Sequence, residues 1–241
     1  MSYSEILIEL ASRNDLSQGT IQKIDHDFLN SIFKEVPNKE ILLNQLLFSL
    51  DQIFELIKLT LEHHELTGMH LGRVGRLGAM LAQKAGLHWK ERLECLYGGW
   101  IHDIGKIYVP TEILDKPEKL THEEYELIKL HVNFGCDVLK YYPHLEPFLS
   151  PLRFHHEHFD GKGYPYKISG TDIPIAARII CIVDAYDAMT GFRPYLNTKT
   201  HEQAIEEIKR CAGSHFDPKL ANLFCSLSKH EIERIQAQLR Y

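Results

Sequence analysis

Apolar residues recur along this chain at three- and four-residue spacing, the period of helices buried on one face. Leu43, Leu46, Leu50, Ile53 and Ile57 form a heptad-like seam, broadened by Leu42, Leu47, Phe54 and Leu61. A stripe this broad suits either the core of its own domain or a helix that pairs with a second copy. Asn44, Gln45, Asp51, Glu55 and Lys58 interrupt the stretch Ile41 to Leu61, which is too polar for a membrane span. Upstream, Ile6, Leu7, Leu10 and then Ile21, Ile24, Phe28, Ile32 predict small helices separated at Asn14-Asp15 and Val36-Pro37-Asn38.

Downstream the pattern stays helical. His70 to Lys84 carries Gly72, Gly75 and Gly78 at spacing three. Each glycine costs a helix roughly 1 kcal/mol against alanine, so a neighbouring helix is expected to pass close on that face. Trp89 to Ile101 predicts a further helix that ends at His102-Asp103. Thr121-His122-Glu123-Glu124 is a capping box opening a helix that carries Tyr125, Ile128, His131, Val132 and Val138. Asp172-Ile173-Pro174 reads as a helix start with proline in the first turn, followed by an apolar helix from Ile175 to about Met189. Thr200 to Gln203 and Ser228 to Glu231 are two more capping boxes, and Asp217-Pro218 supplies another cap. No stretch alternates with period two as strands do. The expected fold is all-α: a helical bundle over 63–241 with a small helical N-terminal extension over 1–62.

Composition narrows the function. A chain of 241 residues, 44% hydrophobic, can build one sizeable core, or one domain and a small appendage. Its net charge of −6 and lack of a Lys/Arg cluster speak against a nucleic-acid polymer as partner. A small anionic substrate remains compatible if bound divalent metals reverse the local field. Cys95, Cys136, Cys181, Cys211 and Cys225 are scattered, with no Cys-x-x-Cys spacing; reduced thiols in a cytoplasmic protein are expected. The N-terminus shows no basic segment leading into an apolar run, so no signal peptide is expected. The anomaly is 15 histidines.

Two stretches are not explained by packing: His102-Asp103-Ile104-Gly105-Lys106, and His155-His156-Glu157-His158-Phe159-Asp160-Gly161-Lys162-Gly163-Tyr164-Pro165. A His-Asp pair offers a neutral nitrogen beside an anionic oxygen, donors that suit a first-row divalent metal. His70 heads a helix and could face the same interior. His131 shares a face with Ile128 and Leu127 and points inward, where it serves either as a core histidine or as a ligand. Asp184 lies beyond Ile179-Ile180-Cys181-Ile182-Val183, where a carboxylate needs a cation or strong donors, supplied by a metal or by a partner arginine. Together His70, His102, Asp103, His131, His155, His156 and Asp184 number seven candidate ligands. That exceeds one tetrahedral zinc and agrees with two metals roughly 3.5–4 Å apart sharing a carboxylate.

The order His…His-Asp…His…His-His…Asp resembles the HD phosphohydrolase superfamily, and the Gly163-Tyr164-Pro165 loop resembles its HD-GYP subgroup. Further matching pieces are Lys116-Pro117 with Leu120-Thr121, Lys129-x-His131, Asp184 to Thr190, Arg193-Pro194-Tyr195 and His215 to Pro218, so that the likeness covers roughly residues 65–225. The resemblance implies an all-α HD-domain bundle that hydrolyses cyclic di-GMP to linear pGpG and in some cases GMP. It implies one metal on His70, His102, Asp103 and Asp184, and a second on His131, His155 and His156, with Asp103 bridging. The implied nucleophile is a water or hydroxide between the metals, iron or manganese first and zinc or nickel as alternatives. Lys106 is implied beside the scissile phosphate and Arg193 at the other phosphate, with Gly163 and Tyr164 shaping the base or ribose pocket.

Two departures qualify this. Relatives with a third metal carry glutamate four residues before the first histidine, where this chain has Leu66, with Glu65 one place off; two metals are expected, with Glu65 a reserve ligand. Some relatives place lysine after Arg-Pro-Tyr, where this chain has Leu196. The substrate is therefore open among cyclic di-GMP, a hybrid cyclic GMP-AMP and a linear dinucleotide. The rival of another class is a catalytically silent domain that binds a cyclic dinucleotide and transmits a signal. Residues 1–62 resemble no sensor domain; a homodimer contact is one role for them.

Overall fold

Helix α1 (Lys39–His63) begins the part of the chain that the computed structural model describes, residues 39–191 and 198–237. The small helices expected upstream lie outside the described residues. After α1 come α2 (Glu65–Lys84), α3 (Trp89–Ile101), a 3₁₀ turn (Ile104–Tyr108), α4 (Thr111–Leu114), α5 (His122–Lys129) and α6 (His131–Leu139). A second 3₁₀ turn (Pro143–Phe148) leads into α7 (Leu149–Phe154), and a third (Gly170–Asp172) into α8 (Ile175–Thr190). The chain then runs through α9 (His201–Arg210), α10 (Pro218–Phe224) and α11 (Lys229–Ala237). Among the described residues there is no strand, only a bridge between Ala212 and Phe216. No described helix is long and apolar enough to cross a membrane.

Two apolar clusters hold the helices. In the first, Leu50, Ile53, Phe54 and Leu56 of α1 are buried with Tyr97 and Trp100 of α3 and with Leu145, Phe148 and Leu152. Core packing is therefore the role that Leu50, Ile53 and Phe54 of the seam take, and burying each side chain stabilises by about 1.5–3 kcal/mol. The second cluster joins Val74, Leu77 and Leu81 of α2 to Ile179, Ile180 and Val183 of α8 and to Phe216, Phe224 and Ile232 further on. Helix α3 passes over the glycine face of α2 as its spacing predicts. Gly75 meets the Leu96 carbonyl and the Trp100 ring, and the backbones of Gly75 and Gly99 touch.

Two local expectations change. The pattern from Tyr125 to Val138 reads as one helix, but the structure breaks it between Lys129 and His131. At Leu130 the chain tightens to a bond with the Leu127 carbonyl, and the His131 ring takes the Ile128 carbonyl at 2.7 Å. Apolar periodicity runs through the break because both halves bury the same side. Pro174 caps α8 rather than lying inside its first turn. The capping boxes at Thr121 and Thr200 form as predicted, as do the Ser228 and Asp217 caps.

Candidate metal centre

Helix ends deliver most of the site. His102 is the C-cap of α3, and Asp103 follows it in the turn toward the first 3₁₀ segment. His131 opens α6, and His155 caps the C-terminus of α7 with His156 next in the chain. His70 and Asp184 come instead from within α2 and α8. Gly105 lets α6 approach: a β-carbon there would overlap the His131 carbonyl and crowd the Gly135 nitrogen. His70, His102, Asp103, His131 and His155 are buried, whereas His156 and Asp184 are partly exposed.

The imidazoles are oriented by their outer nitrogens. Nδ1 of His102 donates to the Gly99 carbonyl at 2.8 Å, that of His131 to Ile128 at 2.7 Å, and that of His155 to Pro151 at 2.9 Å. Nδ1 of His70 donates to Asp187 Oδ2 at 2.8 Å. A proton fixed on Nδ1 leaves the Nε2 lone pair directed inward, the arrangement that prepares a histidine as a metal ligand.

All seven candidate ligands converge, in two groups. Ligand atoms of His70, His102 and Asp184 lie within 4.8 Å of one another, and so do those of Asp103, His131, His155 and His156. Asp103 spans the groups. Its Oδ2 is 3.4 Å from His102 Nε2 and 3.7 Å from His70 Nε2, while its Oδ1 is 3.2 Å from His131 Nε2 and 3.8 Å from His155 Nε2. Asp184 Oδ1 stands 3.0 Å from His70 Nε2, so among the described residues its partner is an imidazole. Glu65 is exposed in the first turn of α2 and stands in neither group.

The electrostatics match a site prepared for cations. Burial resists ionising Asp103, but Lys106 and His102 outweigh it and hold the carboxyl well below its usual range. Burial likewise resists ionising Asp184, yet its contacts with His70 keep it deprotonated. Burial, reinforced by neighbouring imidazoles, depresses His155 to about 3 and His156 well below normal. His70 goes the other way: burial opposes its charge, but Asp184 and Asp187 prevail and raise it to about 9.

The donors fit divalent metal ions. His102 Nε2 and Asp103 Oδ1 are buried and make no hydrogen bond; His131 is 3.2 Å from that oxygen but not in bonding geometry. Buried groups without partners are costly, and an ion between the inward lone pairs would satisfy them. His70, His102, Asp184 and Asp103 Oδ2 would hold one, and His131, His155, His156 and Asp103 Oδ1 the other.

A cleft of about 460 Å³ opens beside this centre, lined in part by His70, Lys106, Lys116 and Leu120. Lys106 Nζ reaches Asp103 Oδ2 at 2.5 Å. Tyr164 stacks on His156 with ring centroids 4.6 Å apart, so it packs against a candidate ligand. Gly163 is required there, since a β-carbon would collide with the backbone of His156 to His158. Arg193, expected at a phosphate, and Leu196 lie outside the described residues.

Sequence reasoning left two features without a role. Glu157, buried, accepts the backbone N–H of Tyr166 at 2.6 Å and of Lys167 at 3.1 Å, which ties down the loop after Tyr164. Asp187, one turn beyond Asp184, joins His70 to Arg73. Its signal was the repeat of aspartate on one face of an apolar helix.

A family model described as HD domain matches residues 40–220. The cyclic di-GMP phosphodiesterase of Thermotoga maritima is 33% identical over 228 residues, covering 90% of this chain and 62% of that protein. The 3'3'-cGAMP-specific phosphodiesterase 2 of Vibrio cholerae is 37% identical over 159 residues, covering 65% of this chain and 30% of that protein. The chain thus spans less than two thirds of the length of these relatives. In fold it is similar to the HDG"Y"P protein Bd1817 of Bdellovibrio bacteriovorus, with a TM-score of 0.59 at 17% identity, covering 90% of this chain and 71% of that one. With the family model matched over residues 40–220, the chain belongs to the HD domain family of phosphohydrolases and carries the Gly163-Tyr164-Pro165 loop of its HD-GYP subgroup.

Proposed function

We propose that the protein is a metal-dependent phosphodiesterase that hydrolyses cyclic di-GMP to linear pGpG, and onward to GMP where the linear product rebinds. The observation that carries this reading is Asp103, whose two oxygens face two separate groups of inward-directed ligands. A pair of divalent ions, when bound, supplies a water of lowered pKa and polarises a phosphodiester. Iron or manganese suits the mixture of imidazole and carboxylate donors, with zinc or nickel as alternatives.

The chain's own residues have distinct tasks. The carbonyls of Gly99, Ile128 and Pro151 hold three imidazoles in the ligating tautomer. Lys106 brings an ammonium to the boundary between the centre and the cleft, where it neutralises charge that develops on phosphoryl oxygens. Tyr164 keeps His156 in place by stacking. Arg193 is assigned to the second phosphate, for which a planar guanidinium is suited.

A second reading, hydrolysis of 3'3'-cGAMP, is favoured by the likeness to the Vibrio cholerae phosphodiesterase of that specificity. Against a silent signalling domain stands the presence of all seven candidate ligands. Free thiols at the five cysteines suit a reducing, cytoplasmic setting. A homodimer through the N-terminal region belongs to the same proposal, with Phe48 and Leu59 as exposed apolar positions on α1; sedimentation equilibrium tests it.

The deciding experiment is turnover of cyclic di-GMP and 3'3'-cGAMP by anaerobically purified protein, with metals counted on the same sample. About two ions per chain with release of pGpG is the expected result. Two ions with faster cleavage of the hybrid substrate favours the second reading. No metal and no turnover after reconstitution with iron or manganese overturns both.

A further inference from the structure

The four inward-facing histidines that carry a fixed Nδ1 proton are not oriented alike. His102, His131 and His155 stand at helix ends, and each donates to a carbonyl three or four residues earlier in its own chain. Such carbonyls are within reach because helix termini release backbone groups from the ladder. His70 lies within α2 (Glu65–Lys84), where the preceding carbonyls are committed to the helix. Its Nδ1 needs an acceptor from another element, and α8 supplies Asp187.

Asp187 is 1% exposed and accepts from His70 through Oδ2 at 2.8 Å. Arg73 grips the same carboxylate with both edges of its fork, Nε to Oδ1 at 2.7 Å and Nη2 to Oδ2 at 2.9 Å. A bidentate guanidinium fixes the carboxylate in plane and balances the charge that burial would otherwise make costly. The spacing repeats on both helices. Arg73 follows His70 by three residues, and Asp187 follows Asp184 by three, so one turn of α2 and α8 carries the inner pair and the next carries the clamp. The inner pair meets at 3.0 Å.

We propose that Arg73 and Asp187 are positioning residues that set the tautomer and orientation of His70, and through it the affinity of the His70–His102–Asp184 group for its metal. The clamp acts on one group alone, since His131 and His155 of the other take backbone carbonyls. This inference rests on the reading of that group as a metal site. Carboxylate partners of ligating histidines typically govern metal affinity by 10–100-fold.

The test is competition by a graded chelator against metal-loaded wild type, Asp187→Asn and Arg73→Lys, with ions per chain counted by native mass spectrometry. Asp187→Asn should lose one of two ions at a chelator concentration at least about tenfold lower than wild type, and Arg73→Lys should lose the same ion with a smaller shift. In a His70→Ala background, Asp187→Asn should add nothing. Two ions retained with wild-type affinity, or both weakened equally, would overturn the proposal. A second measurement is independent of metal content: the metal-free wild type should show a slowly exchanging, downfield His70 Nδ1 proton resonance that Asp187→Asn abolishes. Its absence in the wild type overturns the clamp even if two metals bind, whereas its presence without any metal binding overturns only the functional reading.

Discussion

Gly105 rests directly on the carbonyl of His131, leaving no room for a β-carbon between the first 3₁₀ turn and α6. This contact seats a candidate ligand of one group two residues from the aspartate that spans both. Gly105→Ala must push α6 away or distort the turn, and overpacking of this kind costs about 1–3 kcal/mol. The expected outcome is a lowered denaturation midpoint, with weaker metal retention in the His131 group. An unchanged midpoint and metal content would show that the turn yields more easily than its packing indicates.

Asp103 is the residue least able to tolerate replacement. Asparagine keeps its shape but removes the anionic charge, and one of its two terminal atoms becomes an N–H donor facing imidazole lone pairs. Asp103→Asn should reduce metal content at both groups and lower turnover by at least about 10³-fold, roughly 4 kcal/mol in the barrier. Elemental analysis beside steady-state rates checks this. Full turnover would show that the two groups do not depend on a shared carboxylate.

How much of this centre was legible follows from where each contact lies in the chain. Four of the seven candidate ligands stand in short, chemically odd strings, His102-Asp103 and His155-His156, which packing does not explain, whereas His70, His131 and Asp184 stand singly on helices. The helices that present them follow from apolar period and capping residues, as at Thr121 and Thr200. The break at Leu130 was hidden because a tightened turn leaves the apolar pattern unbroken. The Asp187–Arg73 pair was hidden because it joins positions 114 residues apart, and no local pattern records which of two inward aspartates meets an arginine. The stacking of Tyr164 on His156 likewise depends on how the loop folds back, and it adds a contact with a candidate ligand to a residue expected at the substrate.

That stacking separates two roles for Tyr164. If the ring acts by holding His156, Tyr164→Phe keeps the function and Tyr164→Ala loses it. Aromatic contacts of this geometry are worth about 0.5–1.5 kcal/mol, so the alanine variant should fall up to about tenfold in kcat. The phenylalanine variant should stay near wild type. A large rise in KM for Tyr164→Phe alone would instead assign the hydroxyl to the substrate.

The stability of the chelated protein should depend on pH with a maximum near 6.5. Burial opposes charge on His70, but Asp184 and Asp187 raise its pKa to about 9, against about 6.5 in the unfolded chain. The folded state therefore binds this proton more tightly. The stability it contributes is fully present below pH 6.5 and is lost as pH rises toward 9. His155 has the opposite sign. Burial and the neighbouring imidazoles depress it to about 3, so below pH 6.5 the unfolded chain takes up the proton first. Stability then declines as pH falls toward 3. Thermal scans of chelated protein from pH 4 to 9 should show a Tm that falls on both sides. Saturating metal should flatten the alkaline limb, because a ligating His70 is neutral at Nε2 and holds an ion in place of the proton. A chelated protein that grows steadily more stable from pH 6.5 to 9 would mean that His70 is not the charged partner of Asp184 and Asp187.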